Sequence, residues 1–336
     1  MTSDAEIERQ LTAFMRSSTG DPSAQVSALT ALPGHAGLSY SFELATASAA
    51  GARERLVLRL APEGVRPSGP ADVVKQARIM KSLEGTRVPV PPVRWLDDDP
   101  AAFGRPYFIV GFVAGDKLAL GEREYSPAEQ QRFARAAVRT LADLHAVPWA
   151  PRRAAWGEPL TLDQEMRRLD ALLDRDTLIP GTTVGADELR ARLRATMPSA
   201  PQIGCVHGDF QWSNALFADD GINAVIDWEL AQVGAVLIDL GWLMLFSDRA
   251  SWVETSLVPT HIPAPEELAA MYREAVAWPV TEAEVRWFRA FAGYRFGVIT
   301  AFNLMLHRRG KRLDPTWEEI ALSAPLLFAH GRELID

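Results

Sequence analysis

The sequence predicts an α+β protein in two lobes. A small strand-rich lobe spans residues 1–112, and a larger, mainly helical lobe spans residues 113–336. Three observations predict it. Before Gly111–Gly115, apolar residues recur with the period of strands around one internal helix. After Gly115 the chain is punctuated by helix-start signals instead. A chain of 336 residues has the length of about two domains.

Each element follows from local chemistry. Ser3-Asp4-Ala5-Glu6 reads as a capping box, so a helix is expected to about Ser17, with Gly20-Asp21-Pro22 ending it. Leu29–Leu32 and Ser39–Leu44 read as strands around a loop from Pro33 to Gly37, the second by its alternation of apolar and polar residues. Leu56–Leu60 is a third strand, stopped by Pro62. Asp72–Leu83 has helical spacing, with Val73, Ala77, Met80 and Leu83 on one stripe. Pro89, Pro91 and Pro92 exclude helix and leave extended chain. Tyr107–Val113 reads as a buried strand. In the second half, Ser126-Pro127-Ala128-Glu129 starts a long helix to about His145, and Thr161 and Thr281 start two more. The clear β signal there is Asn214–Asp227, where Ala218-Asp219-Asp220-Gly221 joins two apolar runs as a hairpin.

Composition narrows the function classes. Apolar residues make up 48% and charged residues 23%, which excludes a disordered chain. A net charge of −8 argues against a general nucleic-acid binder. The single cysteine, Cys205, excludes an internal disulfide framework and a cysteine-based zinc site, and makes a reducing, cytoplasmic setting the expectation. Met1–Glu8 lacks a basic, then apolar, leader pattern. The run Val233–Phe246 is too short to span a bilayer and contains Asp239, so no membrane helix is expected.

The chemistry concentrates in His207-Gly208-Asp209-Phe210-Gln211-Trp212-Ser213-Asn214 and Ile226-Asp227-Trp228-Glu229. Both segments follow apolar runs and flank one tight hairpin, so their polar ends are expected in one place. Oxygen ligands from Asn and Asp suit Mg²⁺, which keeps waters and phosphates as its other ligands. A separate Asp can orient and deprotonate a hydroxyl. Phosphoryl transfer needs this division: positioning, charge neutralisation and one base. As ordinary turn residues, Asp and Asn would each be explained singly but not in their joint spacing.

His-Gly-Asp-x-x-x-x-Asn, with Ile-Asp-Trp-Glu 13 residues on, resembles the aminoglycoside phosphotransferase family of small-molecule kinases, related to protein kinases and choline kinases. The resemblance covers roughly residues 25–330. It implies a protein-kinase-like fold, with a five-stranded antiparallel sheet and one helix over a helical lobe, and ATP (or GTP) with Mg²⁺ in the cleft. Asp209 then corresponds to the catalytic base. Asn214 and Asp227 correspond to metal ligands, and Glu229 to an acidic residue that touches metal or water. His207, His145 and Asp239 are expected to support the loop, Asp239 by caging backbone amides. The loop with Gly34 and Gly37 takes the place of the phosphate-covering loop. Val110 and Phe112 take the place of the hinge whose backbone meets adenine.

Two positions depart from the family pattern. The phosphate-binding basic residue of the third strand is Arg59, not Lys, and its acidic partner on the following helix aligns with Gln76, with Asp72 one turn earlier as a substitute. The implied reaction is transfer of the γ-phosphoryl group to a hydroxyl of a small molecule. The alternative is a weak or inactive kinase-like nucleotide-binding protein. A metal-dependent hydrolase on His207 and Asp209 lacks further histidines at ligand spacing. Several side chains keep two readings: Trp242, Trp287 and Tyr294 as pocket lining or core, and Asp170, Asp174 and Asp176 as amine-facing or as a solvated helix face. Cys205 is expected to be an inert buried thiol. The acceptor and the oligomeric state stay open.

Overall fold

The computed structural model describes residues 3–32, 38–47, 53–65, 68–119, 124–219, 221–253 and 257–336. The loop positions Gly34 and Gly37 lie outside the described residues. The chain divides into two compact units, Met1–Ala114 with Ala224–Leu230, and Gly115–Asn223 with Ala231–Asp336.

The first unit opens with α1 (Asp4–Thr19). Ser3 caps it by accepting from the Glu6 N–H, and Gly20 ends it at φ 66°, a left-handed conformation that glycine adopts without strain. The reciprocal half of the expected capping box is not made, because the Glu6 carboxylate turns to Arg9 and Gln10. The strands are β1 (Gln25–Leu32), β2 (Leu38–Ala45), β3 (Arg53–Leu60), β4 (Val93–Asp97) and β5 (Tyr107–Gly111), with α2 (Val73–Leu83) between β3 and β4. They form one antiparallel sheet in the order β1-β2-β3-β5-β4. Ile7, Leu11 and Met15, one stripe of α1, pack into the same core as Leu56, Leu58 and Leu60 of β3. Because strand side chains alternate, burying those leucines puts Val57 and Arg59 on the opposite face. β4, expected only as extended chain, is a full edge strand.

The second unit holds α3 (Pro127–His145), α4 (Arg153–Trp156), α5 (Leu162–Leu173), α6 (Ala186–Ala195), β6 (Ile203–Val206) and β7 (Ala215–Ala218). The hairpin strand β8 (Gly221–Val225) pairs with β7. There follow β9 (Gln232–Ala235), α7 (Leu237–Leu245), α8 (Pro265–Ala275), α9 (Glu282–Arg308), α10 (Thr316–Ile320) and α11 (Ala324–Leu334). Full capping boxes start α3, α5 and α9 at Ser126, Thr161 and Thr281. α9 is the spine of this unit and is buried along most of its length. α7 crosses it where Gly241 meets the Phe288 carbonyl, at a separation that no Cβ could share.

The expectation of a single β feature in this half is corrected by a second antiparallel pair, β6 with β9. Both strands are four residues long, too short for alternation to show in the sequence. Among the described residues, no helix is long and apolar enough to cross a membrane.

Candidate active site

The loop after β6 is built around one buried carboxylate. Asp239, on the first turn of α7, is fully buried and accepts from two consecutive backbone amides, His207 N–H and Gly208 N–H, each at 2.7 Å. Gly208 sits at φ 84°, so the chain can present both amides to one side chain. The third partner of Asp239 is His145 Nε2 at 3.3 Å, and His145 Nδ1 meets Tyr272 Oη at 2.6 Å. With Asp239 as acceptor, Nε2 carries the imidazole proton and Nδ1 accepts from the phenol. Burial, and then the Asp239 charge, push the Tyr272 pKa up, so the phenol stays a donor. Asp239 and His145 thus support the loop, as expected. His207 is also structural: it is fully buried, and its Nδ1 accepts from the Asp209 N–H at 3.2 Å.

That frame holds the Asp209 side chain in one orientation. Asp209 Oδ1 accepts from Trp242 Nε1 at 2.7 Å and from Gln211 Nε2 at 3.2 Å. Asp209 Oδ2 accepts from Asn214 Nδ2 at 2.7 Å, and the same amide nitrogen donates to the Asp209 carbonyl at 2.9 Å. Three side-chain donors thus fix the direction of the carboxylate. Trp242 is therefore a working contact of Asp209, a role its apolar surroundings in the sequence concealed. Trp287 and Tyr294 resolve to packing. Trp287 donates to the Leu193 carbonyl at 3.0 Å and stacks on Phe291, while Tyr294 donates to Asp170 at 2.7 Å. Asp170 also pairs with Arg194, and Asp174 with Arg190. Burial raises the Cys205 pKa to about 12, leaving an inert thiol.

A second cluster lies in the first unit. Arg59 Nη2 is 3.4 Å from Glu229 Oε2 and 3.6 Å from Asp227 Oδ1, and its Nη1 donates to Ser39 Oγ at 3.4 Å. Asp227 sits at φ 66°, a conformation rare for a non-glycine residue. Its Oδ1 is buried without a hydrogen-bond partner. Strained backbone and an orphaned carboxylate oxygen are features that functional sites retain. Among the described residues, no three carboxylate, imidazole or thiol groups converge as a metal cage. Within the first unit, the carboxylate oxygens of Asp227 and Glu229 are of the hard type that suits a cation completing its shell with waters and phosphates.

Gln76 is placed elsewhere. It is 4% exposed and donates to the Pro70 carbonyl at 3.1 Å. Asp72 caps α2 by accepting from the Lys75 N–H at 2.9 Å. The carboxylates beside Arg59 therefore come from residues 227 and 229, not from α2. At the expected hinge, Val110 lies inside the sheet between Val57 and Val93. The Phe112 N–H donates to the Arg55 carbonyl at 2.9 Å.

Residues 38–293 match the model of the phosphotransferase enzyme family. The chain belongs to that family. The aminoglycoside phosphotransferase resemblance drawn from the two motifs stands with it. A putative aminoglycoside phosphotransferase of Ralstonia eutropha superposes with a TM-score of 0.75 at 22% identity, covering 97% of this chain and 98% of the other. A thermostable mutant of an aminoglycoside phosphotransferase, solved as a ternary complex with ADP and hygromycin B, superposes with a TM-score of 0.62 at 16% identity, covering 96% and 98%. At these identities the likeness shows the kinase-like fold. Among curated proteins, a probable acyl-CoA dehydrogenase of Arabidopsis thaliana is 27% identical over 272 residues, which is 72% of this chain and 32% of that protein. The chain thus spans about a third of the length of that relative. Both motifs and the Arg59 strand fall inside the family match. His330 and the whole of α11 fall outside it.

Proposed function

We propose that this protein is a small-molecule kinase that moves the γ-phosphoryl group of ATP to an acceptor hydroxyl in the presence of Mg²⁺, with Asp209 as the base. One observation carries the reading. Asp209, at the base position of the family motif, is oriented by three side-chain donors, on a loop whose amides are fixed by Asp239.

The residues divide the work. Asp209 orients the acceptor hydroxyl and takes its proton at the carboxylate as the new P–O bond forms. Asn214 has its amide nitrogen engaged by Asp209, which leaves Oδ1 as its metal-facing atom. Asp227 offers the orphaned Oδ1, and Glu229 is the third oxygen donor. When bound, Mg²⁺ supplies neutralisation of the charge on the phosphate oxygens. Arg59 holds phosphate with a planar fork, in place of a lysine. Its two carboxylate neighbours keep it on that face of the sheet until the nucleotide arrives. The Phe112 N–H is used within the sheet, so the adenine contact from this segment falls to the Phe112 carbonyl.

The acceptor is narrowed by the acids. Asp170 on α5 and Asp174 at its C-terminal end pair with Arg194 and Arg190, which supports reading them as a solvated, salt-bridged face. Because a curated relative carries an acyl-CoA dehydrogenase name, hydroxyacyl compounds belong in the acceptor panel beside aminoglycosides, choline-like alcohols and sugars. The test is transfer of labelled γ-phosphate from ATP (and from GTP) to that panel, with and without Mg²⁺. Wild type labels at least one acceptor, and Asp209→Asn loses about 10³-fold in rate while still binding nucleotide. Mg²⁺-dependent binding with no transfer to any acceptor supports the second reading, an inactive nucleotide-binding protein. That reading is motivated by Gln76 pointing to Pro70 instead of pairing with Arg59.

A further inference from the structure

Behind Asp209 lies a second layer that the family motifs do not include. Arg295, in the middle of α9, is 9% exposed. Among the described residues it has no ion-pair partner, and its Nη1 has no hydrogen-bond partner. Burial holds its pKa below the usual guanidinium range, against the opposing pull of Glu165, Asp209 and Asp239. Its closest polar compensation is a ring. The guanidinium carbon lies 4.4 Å from the centroid of Trp242. Trp242 is the same side chain whose Nε1 donates to Asp209 Oδ1 at 2.7 Å.

A buried guanidinium without a paired carboxylate is costly, so its retention calls for a compensating role. The stack supplies one. A cation on the indole face draws π density toward itself and leaves the Nε1–H more positive, hence a stronger donor. The ring plane is fixed as well. Phe246 lies tilted against Trp242 at 5.6 Å and Phe296 edge-on at 5.5 Å, so the N–H has one direction.

We infer that Trp242 and Arg295 are positioning residues for the Asp209 carboxylate: Trp242 orients it by a direct hydrogen bond, and Arg295 strengthens and aims that bond from the far face of the indole. The catalytic consequence rests on the reading of Asp209 as the base, whereas the arrangement itself does not.

The test uses the full-length chain with Trp242→Phe, Arg295→Met, Arg295→Lys and Asp209→Asn. It has two readouts. The first is the indole ¹H–¹⁵N resonance of Trp242, identified by its disappearance in Trp242→Phe. Asp209→Asn shifts it upfield, Arg295→Met shifts it in the same direction by less, and Arg295→Lys holds it near the wild-type position. The second is ADP release from Mg²⁺ and ATP with water as acceptor. Trp242→Phe lowers kcat by about tenfold and leaves KM for ATP unchanged, the loss expected for one hydrogen bond to a charged group. Arg295→Met lowers kcat by less, and Arg295→Lys restores it.

A Trp242 resonance that ignores both Asp209→Asn and Arg295→Met overturns the proposal. So does an unchanged kcat in Trp242→Phe, or a rise in KM that accounts for the whole loss. Because the resonance is read without turnover, the indole shifts decide the positioning arrangement even where the wild type hydrolyses no ATP, and transfer to the acceptor panel decides the kinase reading.

Discussion

Asp209 and Asp227 lie 18 residues apart in one short stretch of chain and are held in opposite ways. Asp209 accepts from three side chains on a loop whose backbone amides and single histidine, His207, are themselves bonded and buried. Asp227 sits at a left-handed φ, its Oδ1 lacks a hydrogen-bond partner, and its nearest cation is 3.6 Å away. The difference supports the roles proposed for the two carboxylates. A base must have its lone pairs aimed before the acceptor arrives, and its frame is complete without a ligand. A cation ligand must keep an oxygen in reserve, and the resulting strain and unmet hydrogen bonding are offset when the cation binds.

The comparison breaks first at Asp239. Asp239→Asn replaces one acceptor oxygen with an amide NH2, a donor facing a buried N–H, and removes the charge beside His145. Unfolding free energy falls by about 3 kcal/mol, measured by denaturant titration, as expected when a buried charged network loses one partner. A loss below about 1 kcal/mol would mean that the loop frame is not held as described.

Gln76→Glu sharpens the other side. The substitution puts a carboxylate in a 4% exposed position facing the Pro70 carbonyl. It costs about 1–3 kcal/mol of stability, again by denaturant titration, and does not tighten nucleotide binding. Tighter binding at unchanged stability would restore Gln76 as the partner of Arg59. The smallest effect is expected at Glu229→Gln. Its pair with Arg59 is partly exposed and 3.4 Å long, so stability changes by less than about 1 kcal/mol. Mg²⁺-dependent nucleotide affinity falls more than stability does, and the reverse order would make Glu229 a structural partner instead of a metal-site residue.

Much of this was legible in the sequence, for physical reasons that differ by element. Capping boxes at Ser126, Thr161 and Thr281 act locally, so three residues suffice to read them. β3 was legible as a short apolar run stopped by Pro62, while the face on which Arg59 lies came only from burial in the structure. The paired motifs singled out Asp209, Asn214 and Asp227, and the roles expected of them came from the family resemblance. Contacts between distant segments were not legible. The partner of Arg59 arrives 170 positions later at Glu229, and a one-dimensional alignment offered Gln76 instead. The return of Ala224–Leu230 to the first unit has no local signature. Trp242 and Arg295 sit in apolar helices where an aromatic or an arginine reads as packing, and only the hydrogen bond and the stack reveal their link to Asp209.

The most direct test of the division between the two carboxylates is calorimetric binding of a non-hydrolysable ATP analogue to wild type, Asp227→Ala and Asp209→Asn, each with Mg²⁺ and with the metal chelated. The account predicts Mg²⁺-dependent binding in wild type, retention of that binding in Asp209→Asn, and its loss by more than about tenfold in Asp227→Ala, where any fall in the melting temperature without ligand reflects the lost Arg59 pair and an alanine at a left-handed φ. Binding that ignores Mg²⁺, or that is lost in Asp209→Asn and kept in Asp227→Ala, would contradict it.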